Sequence, residues 1–337
     1  MDILIIKLGA IGDVIRTTCI LSGLKDKYPG CSIDWATKKI SADILKNNNF
    51  VRDIILSDVG RLDIKTKYDL VISLDDDACE LASSIDAKKI IGAYLKDGKK
   101  AYTADSSLWF DMGLISKFGK EKADILKAKN QRTYQEIIYE ILGIEYSRQE
   151  PILELGKKEN EFAKSFARKN KILPDDILIG INTGAGGRWQ DKRLSEQETA
   201  SLIDELGKKN NISNGKIKLV LFGGPEETER NNRIKKLTKA DLIDAGCNNS
   251  LMEFASLVNL CNAVVTSDSL ALHIATALKK KIAVFFYPTS AAEIELYGRG
   301  MKIIAKGKSY CSYKPKCDYA PKWDIKKIAD SVKNLIN

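Results

Sequence analysis

Four stretches of this sequence combine backbone freedom, hydroxyls and charge in ways that suit phosphate and sugar chemistry. The first, Lys7-Leu8-Gly9-Ala10-Ile11-Gly12-Asp13, follows an apolar run and opens a helical pattern. Two glycines let a ligand approach the main chain closely, and Asp13 projects from the first helical turn, where it either complements the helix dipole or meets a substrate. The second is Thr183-Gly184-Ala185-Gly186-Gly187-Arg188, which continues to Lys192-Arg193. Exposed amides, a hydroxyl and cations suit a pyrophosphate; a solvent-facing connecting loop is the alternative. In the third, Phe222-Gly223-Gly224-Pro225-Glu226-Glu227, a carboxylate beyond a strand end can accept hydrogen bonds from ribose hydroxyls. The fourth, Thr266-Ser267-Asp268-Ser269, precedes His273, the only histidine, by one helical turn. It offers a helix N-terminus to phosphate oxygens, or is an N-cap with a core histidine behind it.

Other chemistries are disfavoured. A dinucleotide-binding turn needs GxGxxG, and Lys7 stands where its first glycine belongs. Gly307-Lys308-Ser309 has a P-loop ending but Lys302 in place of the leading glycine, which excludes that ATPase motif. Asp75-Asp76-Asp77 contains a DxD that can hold Mn²⁺ or Mg²⁺ to a diphosphate, yet strand-end acids more simply line a cleft or a solvated loop. Seven scattered cysteines fit reduced thiols, and the spacing of Cys311 and Cys317 is not that of a metal site. The net charge of +9 favours an anionic partner: a phosphorylated sugar, a phospholipid surface or nucleic acid. The basic residues are dispersed in pairs and triplets such as Lys279-Lys280-Lys281, with no nucleic-acid module, so no nucleic-acid partner is expected.

These residues sit between elements of one rhythm. Runs rich in Ile, Val and Leu at 3–6, 32–36, 53–56, 70–73 and 89–93 alternate with helical patterns, as in a parallel sheet wrapped by helices. The helix after the first strand carries Val14, Thr18, Leu21 and Leu24 on one face and stops at Pro29-Gly30; another spans about 133–142. A Lys- and Glu-rich helix at 157–169 leads into a second set of strands at 177–182, 216–222, 263–266 and 281–287. Capping boxes pair Ser195 with Glu198, Ser250 with Glu253 and Ser290 with Glu293, and 323–336 reads as a last amphipathic helix. With 337 residues and 44% apolar composition, two α/β domains are expected. The apolar runs are too short to span a bilayer and no leader is visible, so a cytoplasmic protein is expected.

Taken in order, Ile3-Leu4-Ile5-Ile6-Lys7-Leu8-Gly9-Ala10-Ile11-Gly12-Asp13-Val14 with Arg16-Thr17-Thr18 resembles the N-terminal signature of the family 9 heptosyltransferases. Asn182-Thr183-Gly184-Ala185 through Lys192-Arg193, Phe222-Gly223-Gly224-Pro225, Thr266-Ser267-Asp268-Ser269 through His273, and Pro288-Thr289 are similar in order and spacing. Each motif is weak alone; the ordered set covers nearly the whole chain. The resemblance implies a GT-B fold, two Rossmann-like doubly wound α/β domains facing across a cleft. An acceptor-side domain would cover 1–155, joined by the C-terminal helix 323–337, and a nucleotide-sugar domain 156–322.

It further implies inverting, metal-independent transfer without a cofactor from a nucleotide-diphosphate sugar, ADP-heptose in the best-known members. The acceptor would be a glycan or glycolipid such as the lipopolysaccharide core, met at the inner face of the cell membrane, with peripheral contact to that anionic surface. Asp13 would be the general base. Lys192, helped by the amides of Asp268 and Ser269, would neutralise the departing diphosphate, and Glu226 would meet the ribose. Thr183, Gly187 and Arg188 match the donor-phosphate loop, Asn249 falls near the base-binding segment, and Gly12, Gly184 and His273 complete the donor-side set. Two features depart from the pattern: Leu270 replaces a usual glycine, and a cysteine-rich C-terminal segment is reduced to Cys311 and Cys317. A Rossmann oxidoreductase using NAD(P) and a sugar-nucleotide-binding protein without turnover are the competing readings.

Overall fold

β-Branched, near-continuous apolar runs such as Asp2–Ile6, whose last four side chains are buried, need cover on both faces, and a parallel sheet between helices provides it. The computed structural model describes residues 1–58, 67–186, 190–208, 211–212, 215–314 and 316–336. By contact the chain falls into two units, one of Met1–Glu154 with Ala292–Glu295, the other of Leu155–Ala291 with Leu296–Asn337.

The first unit has strands β1 (Asp2–Ile6), β2 (Ser32–Thr37), β3 (Asp53–Leu56), β4 (Tyr68–Ser73), β5 (Ala87–Lys96) and β6 (Lys99–Tyr102), in the order β3-β2-β1-β4-β5-β6. All pairs are parallel except β5 with β6. The sequence reading missed β6, although Asp97-Gly98, both at positive φ, is a two-residue hairpin signal. Leu4, Ile6, Tyr68, Val71, Ala78 and Ala82 form a core on one side of this sheet. Instead of one helix running to Pro29 there are two, Ile11–Thr17 and Ile20–Lys27. Thr18 marks the break: its hydroxyl donates to Ile15 O at 2.7 Å and accepts from Ile152 N at 2.7 Å, which ties this point to the segment leaving the unit.

The second unit repeats the plan with β7 (Ile177–Asn182), β8 (Asn211–Ile212), β9 (Gly215–Phe222), β10 (Leu242–Asp244), β11 (Ala263–Ser267), β12 (Lys281–Phe286) and β13 (Gly300–Ile304). The order is β10-β9-β7-β11-β12-β13, all parallel, with β8 an antiparallel spur on β9. The C-terminal helix, Ile325–Ile336, buries Ile328, Ala329 and Val332 among Leu202, Ile203, Leu206, Val265 and Phe285. Its apolar stripe therefore belongs to the core of the second unit, and the expectation that it joins the N-terminal domain is corrected. Boxes form at Ser195/Glu198, Ser250/Glu253 and, unforeseen, Thr133/Glu136. No helix follows Ser290; Glu293 is instead part of the first unit, where its carbonyl accepts from Tyr134 N at 3.0 Å. Among the described residues no helix is long and apolar enough to cross a membrane.

Candidate active site

In each sheet the strand order reverses once, between β1 and β4 and between β7 and β11. Loops leaving the carboxyl ends of the two strands at such a point part in opposite directions and open a crevice. Asp13 lies at the first of these points, and Lys192 and Asp268 at the second.

In the first unit the loop after β1 is held by an acid from the loop after β4. Lys7 is 2% exposed, and its Nζ donates to Asp75 Oδ1 at 2.5 Å and to Leu74 O at 3.1 Å. The other oxygen, Asp75 Oδ2, accepts from the amides of Leu8 at 2.5 Å and Gly9 at 2.9 Å. Burial works against the Lys7 ammonium, but Asp75 chiefly, then Tyr134 and Asp13, hold its pKa above the ordinary lysine value. A Cβ at Gly9 would stand 3.1 Å from Asp75 Oδ1, so the clamp itself favours glycine there. Of the DxD acids, Asp75 is thus engaged through both oxygens, and Asp77 is exposed beside Lys100 at 3.7 Å.

Clamping fixes the start of the helix Ile11–Thr17, on which Gly12 is buried and Asp13 lies in the first turn. Asp13 Oδ1 pairs with Arg16 at 2.8 Å across one helical turn, and its side chain remains 33% exposed. Arg16 is itself immobilised. Its guanidinium lies over the Tyr134 ring at 4.1 Å and nearer the edge of range over Trp109 at 5.5 Å, with Glu293 4.0 Å away. The result is a carboxylate of fixed direction with an accessible edge, which is what proton abstraction requires. The sequence shows Lys7 and Arg16 in the first motif, Asp75 in a DxD and Glu293 in a capping pattern, but not that these four surround Asp13; only Arg16, three residues from Asp13, signals its partner by spacing.

In the second unit, the short turn Gln190–Lys192 brings Lys192 to the end of β11. Lys192 is 8% exposed and donates to Asp268 Oδ2 at 2.9 Å and Asp268 O at 3.0 Å. Burial opposes ionisation of Asp268, but Lys192 and then His273 outweigh it and pull its pKa down to about 2. Ser269 caps the helix Leu270–Ala277; its Oγ lies 2.9 Å from Thr266 Oγ1 and accepts from Asn182 Nδ2 at 3.2 Å. Asn182 also donates to Gly184 O at 2.8 Å, so it ties the loop after β7 to the loop after β11. Leu270 opens a right-handed helix in which leucine needs no unusual backbone, so its replacement of glycine brings no strain. Asp191 accepts from Cys317 N at 2.7 Å and so anchors the turn that carries Lys192.

Other candidates have different surroundings from those expected. The Thr183 hydroxyl points inward, donating to Asn231 Oδ1 at 2.6 Å with Phe222 O also 3.0 Å away, so it fastens the loop. Glycine at 184 leaves room for Glu227, whose carboxylate a Cβ there would approach to 3.0 Å. Glu227 is buried and accepts from Gly224 N at 2.9 Å, while Glu226 is exposed on the same short turn, Pro225–Glu227. The Asn249 amide donates to Ala245 O at 3.0 Å and Gly246 O at 3.3 Å, closing its own loop. Gly187 and Arg188 lie outside the described residues.

Two doubly wound units, each with a glycine-bearing loop and a charged residue at its switch point, make up the GT-B fold. The chain belongs to glycosyltransferase family 9 (heptosyltransferase), whose profile matches residues 64–322. It is 25% identical over 310 residues to lipooligosaccharide heptosyltransferase 2 of Haemophilus influenzae, spanning 86% of this chain and 84% of that one. Its fold is similar to that of the glycosyl transferase family 9 protein from Veillonella parvula, with a TM-score of 0.74, 19% identity and coverage of 99% and 97%. The E. coli ADP-heptose lps heptosyltransferase II is also similar, with a TM-score of 0.61, 16% identity and coverage of 100% and 98%. Family membership sets aside both the oxidoreductase and the binding protein without turnover.

Proposed function

We propose that this enzyme transfers heptose from ADP-heptose to a glycan or glycolipid acceptor such as the lipopolysaccharide core, with inversion and without a metal ion. The observation that carries the reading is the partly buried Lys192–Asp268 pair at the switch point of the second sheet, beside a helix N-terminus. A cation held in place where chain amides converge suits a leaving diphosphate better than a neutral ligand. The name of the similar E. coli enzyme supports the donor, and that of the H. influenzae relative supports a lipid-linked acceptor.

In this reading Asp13 accepts the proton of an acceptor hydroxyl as its oxygen attacks the anomeric carbon. The bond from that carbon to the diphosphate breaks on the opposite face, and its electron pair leaves on the phosphate oxygen. Lys192 and the amides of Asp268 and Ser269 take up that charge, and exposed Glu226 meets the ribose. Because Asp75 is engaged by Lys7 and two amides, the DxD is not the source of charge compensation. Work in the cytoplasm at the inner membrane face, with no nucleic-acid partner, belongs to the same proposal.

Mass spectrometry of products after incubation with ADP-heptose, other nucleotide sugars and an extracted glycolipid pool tests it. Acceptor gaining one heptose, with inverted anomeric configuration by NMR and undiminished yield in EDTA, is expected. Transfer only from a hexose donor, retention of configuration, or EDTA inhibition reversed by Mg²⁺ would each overturn the corresponding part.

A further inference from the structure

The helix Gly119–Lys129 is attached to the first unit along one side only. Ala123 is its single buried residue, and Lys127, one turn on, faces Glu293 at 3.9 Å. With 3.6 residues per turn, Phe118, Lys122, Ile125 and Lys129 fall within about 60° of one another, on the side away from Ala123 and Lys127. Phe118 is 50% and Ile125 44% exposed, and Leu114 in the preceding turn is 80% exposed. The Lys117 ammonium lies 5.0 Å from the centre of the Phe118 ring, and Lys117 is exposed too. Lys122 and Lys129 form no ion pair among the described residues, and residues 114–129 contain five lysines against two acids.

Large apolar side chains and lysines sharing one outward stripe make a poor solvated surface, because the apolar groups stay wet and the ammonium groups repel. The same stripe suits a lipid headgroup layer. Phe, Ile and Leu can enter the acyl boundary there, while lysine stems lie along it with their charges on phosphate. We infer that this stripe, Leu114, Phe118, Lys122, Ile125 and Lys129, seats the enzyme on an anionic phospholipid surface. The inner side of the same helix reaches Glu293, which stands 4.0 Å from Arg16, the partner of Asp13. Seating therefore holds the helix bearing Asp13 near the lipid plane. The proposal places a surface and needs no assumption about donor or turnover, so its failure is separate from that of the proposed reaction.

Co-sedimentation of the full chain with vesicles of phosphatidylcholine and phosphatidylglycerol, against pure phosphatidylcholine vesicles, tests the inference. Binding to the anionic vesicles that weakens with added salt is expected. Lys122→Gln with Lys129→Gln lowers the partition about 30-fold, from the usual contribution of a lysine near an anionic surface. Phe118→Ser with Ile125→Ser lowers it as well, with circular dichroism unchanged because all four positions are exposed. Equal binding to neutral vesicles, or stripe variants that sediment like the wild type, would overturn it. So would a dimer, seen by analytical ultracentrifugation, that these variants dissociate, since the stripe would then face a second copy.

Discussion

Replacing Asp75 by asparagine preserves the shape of the clamp and removes its charge. The Lys7 ammonium, with a side chain 3% exposed, would keep Leu74 O but lose its counter-ion. The new amide would also set an N–H group against either that ammonium or the amides of Leu8 and Gly9. Breaking a buried ion pair by removing one partner costs about 3–5 kcal/mol. With Asp75 12% exposed, the lower end, about 3 kcal/mol, is expected. Lys7→Met alone should cost a comparable amount, and the double variant less than the sum, with a coupling of at least ~1.5 kcal/mol. A chain of two units does not unfold in one step, so the measurement should be local: hydrogen exchange of peptides covering residues 1–154 in urea. Turnover should fall at least ~10-fold through the loosened loop before the Asp13 helix, with donor affinity little changed. An Asp75→Asn protein within ~1 kcal/mol of wild type and additive with Lys7→Met would refute the clamp.

Asp13→Asn should lower kcat at least ~100-fold with donor Kd nearly unchanged; turnover near wild type in a steady-state assay would remove it from the base role. Lys192→Gln should weaken binding of ADP about 10- to 100-fold by calorimetry, and unaltered affinity would contradict its place at the diphosphate. Asp268, with a folded pKa of about 2 against an ordinary 3.8, stabilises the second unit above pH 4 and loses that contribution as pH falls towards 2. One pKa unit is worth ~1.4 kcal/mol, so about 2 kcal/mol should disappear across that window in urea melts, and Asp268→Asn should lack that slope.

Most strands were readable because a buried parallel strand must be a short, unbroken apolar run, as at Ile177–Asn182, and the edge strand Asp53–Leu56, with no buried residue, shows itself only through its Ile-Ile-Leu run. Edge strands obey no such demand. β10 has three residues and none buried, and β13 and β6 are likewise not buried, so nothing in their composition marked them. Asp13 and Lys192 stood out through their motifs, whereas the groups that fix them, Asp75 at 62 positions from Asp13 and Asp268 at 76 from Lys192, are brought near only by the strand order. The motif marks Asp268 as an amide donor, and its carboxylate pairing with Lys192 is a tertiary fact. Ser290 and Glu293 show the reverse error: a local capping pattern was overridden once Glu293 found Arg16, Lys127 and Tyr134 N in the first unit.

That four-residue excursion, Ala292–Glu295, bears on how relatives can be recombined. A chimera that exchanges only residues 1–154 would combine the Arg16, Lys127 and Tyr134 of one parent with the 292–295 segment of the other. The inherited unit is therefore discontinuous in the gene, and crossovers on both sides of Ala292–Glu295 are needed to move the Asp13 half intact.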